Sequence, residues 1–148
     1  MEVSLVEVDA GAWREALRTH EGKVVLVDFW ATWCAPCTQA FPKLLQYGVD
    51  YADHGLVVLS VSLDDPSERE GVLQFLRSVN ATIPNFISTW GAGTESMEQF
   101  GIESALPYYH LYDRSGTLRH QFSGAPEGLD HVEPLDRITE RLRAVLAE

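Results

Sequence analysis

Two runs of mostly aliphatic residues constrain the fold more than any other feature: VVLVDFW at residues 24–30 and GLVVLSVSL at residues 55–63. Near-continuous runs of this kind are typical of strands that are buried on both faces of a parallel sheet. Between them, Phe41 and Leu44 have helical spacing, and parallel strands need such a crossover. The sequence therefore predicts two central parallel strands joined by a helix, which Pro42 should kink.

The rest of the chain continues the alternation of strands and helices. Asp9 marks the start of the first helix, and Asp65 with Pro66 marks the start of a later one. The expected order is β-α-β-α-β-α-(β)-α-β-β-α. The remaining elements are a strand at residues 4–8, a short strand within 83–89, a short helix within 94–102, a hairpin of residues 107–112 and 117–122 that turns at a left-handed Gly116, and a final helix from about residue 130 to 147 with Pro134 in its first turn.

Length and charge limit the class of protein. A chain of 148 residues fits one domain, residues 1–148. Its 22 acidic and 11 basic residues give a formal net charge of −11, which argues against nucleic acid as a partner. No stretch has the roughly eighteen apolar residues of a membrane span, and the start lacks the pattern of a leader. We therefore expect a cytoplasmic protein as written, with a bacterial extracytoplasmic (periplasmic) location as the alternative if a leader was removed.

The sequence has only two cysteines, Cys34 and Cys37, between the first central strand and the kinked helix. Cys34 should lie at a helix N-terminus, where free N–H groups and the helix dipole stabilise a thiolate. Residues three apart on a helix can form a disulfide, but so short a ring contributes only about 2 kcal/mol in the loop-entropy model. Reversible redox chemistry explains the pair better, with Cys34 as nucleophile, Cys37 as resolving thiol and Pro36 fixing the turn that exposes Cys34.

A carboxylate, Asp28, interrupts the first aliphatic run six residues before Cys34. Burial raises the pKa of a carboxyl group, so this residue could accept the proton of Cys37 when a mixed disulfide is resolved. The alternative is an aspartate at a strand end that reaches solvent or bonds to the backbone. We favour the proton-transfer role because buried carboxylates cluster beside reactive groups.

A C-x-x-C pair is also half of a common zinc site. The chain has no second cysteine pair, however, and its histidines are scattered without ligand spacing. These are His20, His54, His110, His120 and His131. Redox exchange is therefore favoured over a zinc site and over an inert structural disulfide, and we expect neither a metal nor an organic cofactor.

The stretch VLVDFWATWCAPC, with Pro42 five residues after Cys37, closely resembles the thioredoxin superfamily. The stretch ALPYYHLYDRSGTLRHQFSGAPEGL resembles the block that faces the active site in this family, with Pro107 in the cis-proline position and Gly124 as the glycine that lines the groove. The extra elements at approximately 64–100 resemble the insertion of TlpA-like and ResA-like thiol-disulfide oxidoreductases. The resemblance implies an α/β thioredoxin fold, in which helices flank a central mixed sheet and an extra helix and strand precede the cis-proline strand.

The same resemblance implies dithiol-disulfide exchange with protein substrates and re-reduction by an upstream thiol donor. A substrate strand would bind beside Pro107, through main-chain hydrogen bonds and an uncharged rim rich in aromatic residues. The expected state is a monomer. The expected contact residues are the rim of Trp30, Trp33, Leu106 and Tyr108, together with Pro36, Pro107 and Gly124.

Departures from the family pattern bear on the chemistry. Ser60 stands where thioredoxins place a lysine beside the buried aspartate, Thr38 replaces the basic residue common after the second cysteine, and no histidine lies between the cysteines. The missing histidine favours a reductant over a strong oxidant. His110 is expected to be a core residue bonded to a neighbour. Trp90, beside a glycine-rich turn, either seals the core or shapes partner choice.

Two other function classes stay open. A peroxidase of the peroxiredoxin kind has a threonine three residues before its cysteine, where this chain has Ala31. Peroxide consumption with an external reductant would identify such an enzyme. A thioredoxin-like binding module without catalytic function would fail to reduce insulin disulfides.

Overall fold

A mixed sheet of seven strands forms the centre of the structure, a computed structural model that describes residues 2–148. Five α-helices flank the sheet within this range. Across the sheet the strand order is β1-β4-β3-β2-β5-β6-β7. The strands are β1 (Val6–Val8), β2 (Val24–Trp30), β3 (Leu56–Ser62), β4 (Asn85–Ser88), β5 (Tyr108–Tyr112), β6 (Leu118–Ser123) and β7 (Val132–Pro134). The helices are α1 (Ala10–Arg18), α2 (Ala35–Asp50), α3 (Arg69–Ser78), α4 (Thr94–Phe100) and α5 (Ile138–Leu146).

Strand β2 lies in the middle of the sheet, as its aliphatic pattern predicted. It pairs in parallel with β3, where Asp28 lies opposite Ser60. It pairs antiparallel with β5, where Asp28 lies opposite Tyr109. All of its residues are buried, and α2 connects it to β3, so the predicted β-α-β unit is confirmed.

The side chains of β2 alternate between two apolar cores. Leu26 and Trp30 pack in the core that contains Cys37 of α2. Val27 packs in the other core, beside α1 and α4. Because residues two apart on a strand share a face, Asp28 is directed toward the layer that carries Cys37.

Several local predictions are confirmed. The Asp9 carboxylate caps α1 by accepting a hydrogen bond from the Ala12 N–H at 2.8 Å. Strands β5 and β6 form the predicted hairpin, and Gly116 in its turn has a φ of 84°, which is in the left-handed region. Pro42 lies inside α2, and the kink it should cause stays a prediction.

The last helix begins later than predicted. Strand β7 occupies Val132–Pro134 and pairs in parallel with β6, with Gln121 opposite Val132. A 3-10 turn at Leu135–Arg137 follows, and α5 begins at Ile138. The prediction of one helix from about residue 130 was wrong because a strand of three residues is too short to show its own periodicity. Pro134 fits the end of this edge strand, where its missing N–H is not needed.

The start of α3 also differs from the prediction. Asp65 accepts a hydrogen bond from the Ser67 N–H at 3.0 Å and caps a 3-10 turn, Pro66–Glu68. The α-helix begins only at Arg69, and Glu68 makes no capping bond with its side chain. A single 3-10 turn is a common way to enter an α-helix, and the sequence signal marked that turn rather than the helix itself.

Candidate active site

The two cysteines form a disulfide at the N-terminus of α2, with their Cα atoms 5.2 Å apart. Cys34 is the capping residue of the helix, and its Sγ accepts a hydrogen bond from the Cys37 N–H at 3.3 Å. Cys34 is 9% exposed and Cys37 is 0% exposed. The sequence therefore placed both cysteines correctly relative to the helix, and an incoming group reaches the sulfur of Cys34 first.

The loop before β5 packs beside the disulfide. The Leu106–Pro107 peptide bond is cis, as the resemblance implied. The Gly124 N–H donates to the Pro107 carbonyl at 3.1 Å, and a Cβ at Gly124 would lie only 3.3 Å from the Pro107 Cδ. A larger residue at position 124 would press on the cis-proline, so glycine permits this close approach.

A groove of about 320 Å³ opens beside Cys34. No charged side chain lines it. The insertion forms one wall of this groove. The sequence did not predict that wall, because it depends on contacts between residues far apart in the chain. The glycine-rich turn was the only sequence feature that pointed to it. The lining residues are Trp33, Cys34, Leu63, Ala92, Gly93, Met97, Ser104, Ala105 and Leu106.

The predicted rim is only partly correct. Trp33 is 62% exposed, Leu106 is half-buried, and both border the groove. Trp30 and Tyr108 are fully buried, so the prediction that their side chains contact a partner was wrong. The Trp30 ring packs in the α2 core, and the Tyr108 hydroxyl donates to the Gln121 side chain. Exposed Pro36 lies in the first turn of α2, outside the groove lining.

Asp28 is completely buried, and neither carboxylate oxygen has a hydrogen-bond partner among residues 2–148. The alternative of a strand-end aspartate that reaches solvent or bonds to backbone is therefore wrong. Burial raises the pKa of the Asp28 carboxyl well above its ordinary value. The opposite residue on β3 is Ser60, whose hydroxyl donates to Asn85 instead, at 2.7 Å. On β5, burial and then the charge of Asp28 raise the pKa of Tyr109.

A second buried carboxylate, Asp64, holds the loop that leads to Cys34. The Thr32 N–H donates to its Oδ2 at 3.0 Å, and the Thr32 hydroxyl donates to its Oδ1. The Ser62 hydroxyl also donates to Oδ2. The sequence did not indicate this contact, because Thr32 and Asp64 are 32 residues apart in the chain.

His110 is buried and acts as a core residue, as predicted. Its Nε2–H donates to the Gly101 carbonyl at 3.3 Å, and its ring lies edge-on to Phe29 with the centroids 4.9 Å apart. Burial lowers its pKa to about 4, so the ring is neutral at physiological pH. Trp90 is half-buried, and its ring packs on that of Phe100 with the centroids 5.9 Å apart. This contact agrees with the hypothesis that Trp90 seals the core.

Residues 2–148 contain no group of three or more His, Cys, Asp or Glu side chains placed to hold a metal ion. Within the same range, no helix combines the length and the apolar character needed to cross a membrane.

Comparison with known proteins identifies a family that matches this chain and several relatives. The sequence profile of the family described as Redoxin matches residues 4–137. The thioredoxin-like protein YneN of Bacillus subtilis is 27% identical over 124 residues, which are 83% of this chain and 69% of that protein. The thiol-disulfide oxidoreductase ResA of Bacillus thuringiensis is 25% identical over 136 residues, which are 92% of this chain and 75% of that protein.

Solved structures of thiol-disulfide exchange proteins are also similar to this chain. A Chlorobium tepidum protein assigned as the thiol:disulfide interchange protein DsbE is 30% identical, with a TM-score of 0.70 over 88% of this chain and 84% of that chain. The thioredoxin domain of a Bacteroides vulgatus thiol-disulfide oxidoreductase is 22% identical, with a TM-score of 0.65 over 87% of this chain and 84% of that chain. This second likeness bears on the fold alone, and it confirms the expected thioredoxin fold.

Replacement of Asp28 by asparagine is expected to stabilise the oxidised protein more strongly as the pH rises. The folded carboxyl has the higher pKa, so the unfolded chain ionises first and wild-type stability falls with pH above the ordinary aspartate range. Each unit of pKa difference corresponds to about 1.4 kcal/mol. Urea unfolding at about pH 5 and about pH 8 measures the effect. Asp53→Asn, at an exposed site, is the control; an equal gain for Asp28→Asn at both pH values would contradict the expectation.

Replacement of Asp64 by asparagine is expected to lower the free energy of unfolding by about 1–3 kcal/mol, because the amide N–H₂ would face a donor from Thr32 or Ser62. The neighbouring Asp65 is exposed and accepts from Ser67 only, so Asp65→Asn is the matched control with a smaller loss. Urea unfolding of the oxidised proteins measures both. Equal losses in the two variants would show that Asp64 does not hold the loop.

Proposed function

Since the chain belongs to the Redoxin family, we propose that its Cys34–Cys37 pair reduces disulfide bonds in other proteins. The resemblance to TlpA-like and ResA-like proteins is confirmed, and the chain is a thiol-disulfide oxidoreductase. One observation carries the proposal. The less buried sulfur of the disulfide lines an uncharged groove, while an unpartnered carboxyl group lies on the strand behind it.

The reaction starts from the reduced pair. The Cys34 thiolate attacks one sulfur of a substrate disulfide, the substrate S–S bond breaks, and the other substrate sulfur leaves as a thiolate that takes a proton from water. Cys37 then gives its proton to the ionised Asp28 carboxylate and attacks the Cys34 sulfur. The mixed disulfide breaks, and the second substrate sulfur leaves as a thiolate that takes a proton from water. The electron pair has moved to the substrate, and an upstream thiol donor must restore the dithiol.

Burial supports this division of roles. Cys34 is the more exposed sulfur, so a protein disulfide can reach it, whereas Cys37 is enclosed and meets only the mixed disulfide. Asp28 lies on the face of β2 that packs against α2. Its raised pKa makes the carboxylate a stronger base than an exposed aspartate, which suits proton transfer from a thiol.

The surroundings of the pair favour reduction over oxidation. A strong oxidant of this class owes its high potential to a stabilised thiolate in the reduced form. Here Ser60 is opposite Asp28, and Thr38 follows Cys37, so neither position supplies a cation. The N-terminus of α2 is left as the main stabiliser of the Cys34 thiolate, which supports a low reduction potential.

Substrate docking would use the loop before β5. The main chain of Tyr108 is already paired with Phe29 on β2 and Ser123 on β6, so an added strand would meet the chain at Leu106 and Pro107. Trp33 would cover the substrate from the other side of the groove. We extend the proposal to Pro36 and Gly124 as residues bordering the docked peptide, and to residues 1–148 acting as one monomeric domain with an insertion at approximately 64–100.

Replacement of Cys37 by serine is expected to trap substrates as mixed disulfides on Cys34, because the resolving attack is lost while the first attack remains. Non-reducing electrophoresis and mass spectrometry of the adducts measure the effect. Cys34→Ser is the matched control and should trap far less. If Cys37→Ser folds yet traps no more substrate than Cys34→Ser, the assigned order of attack is wrong.

The reduction potential is expected to lie nearer the value of thioredoxin, about −270 mV, than that of a strong oxidant, about −120 mV. Equilibration with dithiothreitol redox buffers, followed by quantification of the free thiols, gives the value. Introducing the missing cation by Thr38→Lys should raise the potential, whereas Gln39→Lys one position further controls for net charge. A wild-type potential near that of the strong oxidant would overturn the proposed direction.

A further inference from the structure

The groove beside Cys34 is apolar inside, and exposed acidic residues lie next to its lining residues in the chain. We propose that it binds a substrate segment that places an apolar side chain beside its reactive cysteine and carries lysine or arginine on the flanks. This inference rests on the proposed function, because the segment is the one whose disulfide Cys34 attacks. It adds the chemical class of the partner, which the disulfide chemistry alone leaves open.

The inside of the groove selects for an apolar side chain. Its lining is almost entirely carbon, with Leu63, Met97 and Leu106 as the larger walls. Its volume is about 320 Å³, whereas an enclosed cavity of about 150 Å³ suffices for benzene. Burying an apolar side chain there is favourable, while a charged one would lose its hydration without gaining a partner.

The chain segments that line the groove contain acidic residues but no lysine or arginine. Every lining residue belongs to a stretch without lysine or arginine, namely 24–42, 44–68 or 78–113, and residues 120–136, which include Gly124, also lack them. Three exposed glutamates, Glu98, Glu103 and Glu127, lie beside the groove in the chain or in space; we call them the acidic rim.

Each member of the acidic rim is placed by a neighbour. Met97 and Ser104 line the groove. Glu98 follows Met97 on α4, and Glu103 precedes Ser104. Glu127 lies in the turn whose Ala125 carbonyl accepts a hydrogen bond from the Ser104 hydroxyl. One histidine contacts the acidic rim, since the His131 Nε2–H donates to the Glu103 carboxylate at 2.7 Å.

Charge complementarity follows from this arrangement. Charges of one sign near a binding site concentrate partners of the opposite sign and speed their association, and added salt removes the effect. The formal net charge of −11 acts in the same direction and opposes docking of a second copy of this chain. Anionic disulfides should therefore be poor substrates even though the chemistry at Cys34 is the same.

The test compares two peptide disulfides that share a leucine beside the cysteine and differ only in lysine or glutamate flanks. A small neutral disulfide, hydroxyethyl disulfide, reports the chemistry alone. At about pH 8, where histidines as a class are mostly neutral, kcat/KM for the lysine peptide should exceed that for the glutamate peptide by about tenfold at low salt. High salt should remove most of the difference. Serine in place of leucine should lower kcat/KM for both peptides.

Variants separate the acidic rim from the overall charge. The triple variant Glu98→Gln, Glu103→Gln and Glu127→Gln should lose most of the preference. The matched triple variant Glu21→Gln, Asp50→Asn and Asp53→Asn changes the net charge equally at exposed sites at the far end of β2 and α2, and it should keep the preference.

The outcomes distinguish the two proposals. If wild type reduces neither the neutral disulfide nor the peptides, the proposed function itself is wrong. If it reduces the neutral disulfide but treats the two peptides alike at low salt, the function stands and the inference about the partner is overturned. Equal loss of preference in both triple variants would also overturn it, because total charge rather than the acidic rim would then select the substrate.

Discussion

Strand β2 is hydrogen-bonded along both edges and packed on both faces, and this confinement positions the whole site. Its carboxyl end delivers the turn that contains Cys34, and the Leu63 N–H continues the ladder past the strand by donating to the Trp30 carbonyl at 2.8 Å. The partner strand β5 begins at the cis-proline loop on the same side. The cysteine pair and the cis-proline loop are therefore held against one rigid strand. This arrangement suits a reaction that requires sulfur atoms to align.

Two buried carboxylates near this strand end show how surroundings assign roles. Asp64 accepts from both donors of Thr32 and from the Ser62 hydroxyl, so its charge is satisfied and it acts as an anchor. Among residues 2–148, Asp28 has no such donor, and its burial favours the protonated form. The same chemical group is thus structural at the edge of the site, whereas behind the disulfide it is a group that holds a proton readily, which suits the proton uptake proposed for it. The fold offsets the cost of burying Asp28 elsewhere, through the apolar cores on both faces of β2.

Strong local patterns made much of the fold and the redox pair predictable. The aliphatic runs at 24–30 and 55–63 indicate central parallel strands. The position of Cys34 at a helix N-terminus follows, because a helix must connect these two strands. The direction of side chains was harder to predict. Trp30 lies close in sequence to the cysteines, yet the alternation of side chains along the strand places its ring in the core, against Phe41. The groove wall at Ala92 and Met97 and the bond from Thr32 to Asp64 depend on tertiary contacts, which no local pattern encodes.

Charge links the direction of the reaction to the choice of partner. The stretch from residue 24 to 42 contains no lysine or arginine, so the proposed mechanism assigns most of the stabilisation of the Cys34 thiolate to the N-terminus of α2. A reduced form that is weakly stabilised gives up its electrons readily. The segments that line the groove also lack lysine and arginine, so neither residue type in these segments neutralises the acidic rim. A cationic substrate segment would bring positive charge to the thiolate only while it is bound, and an opposite charge nearby favours the ionised form. Binding and activation of the nucleophile would then be coupled through one electrostatic feature of the site.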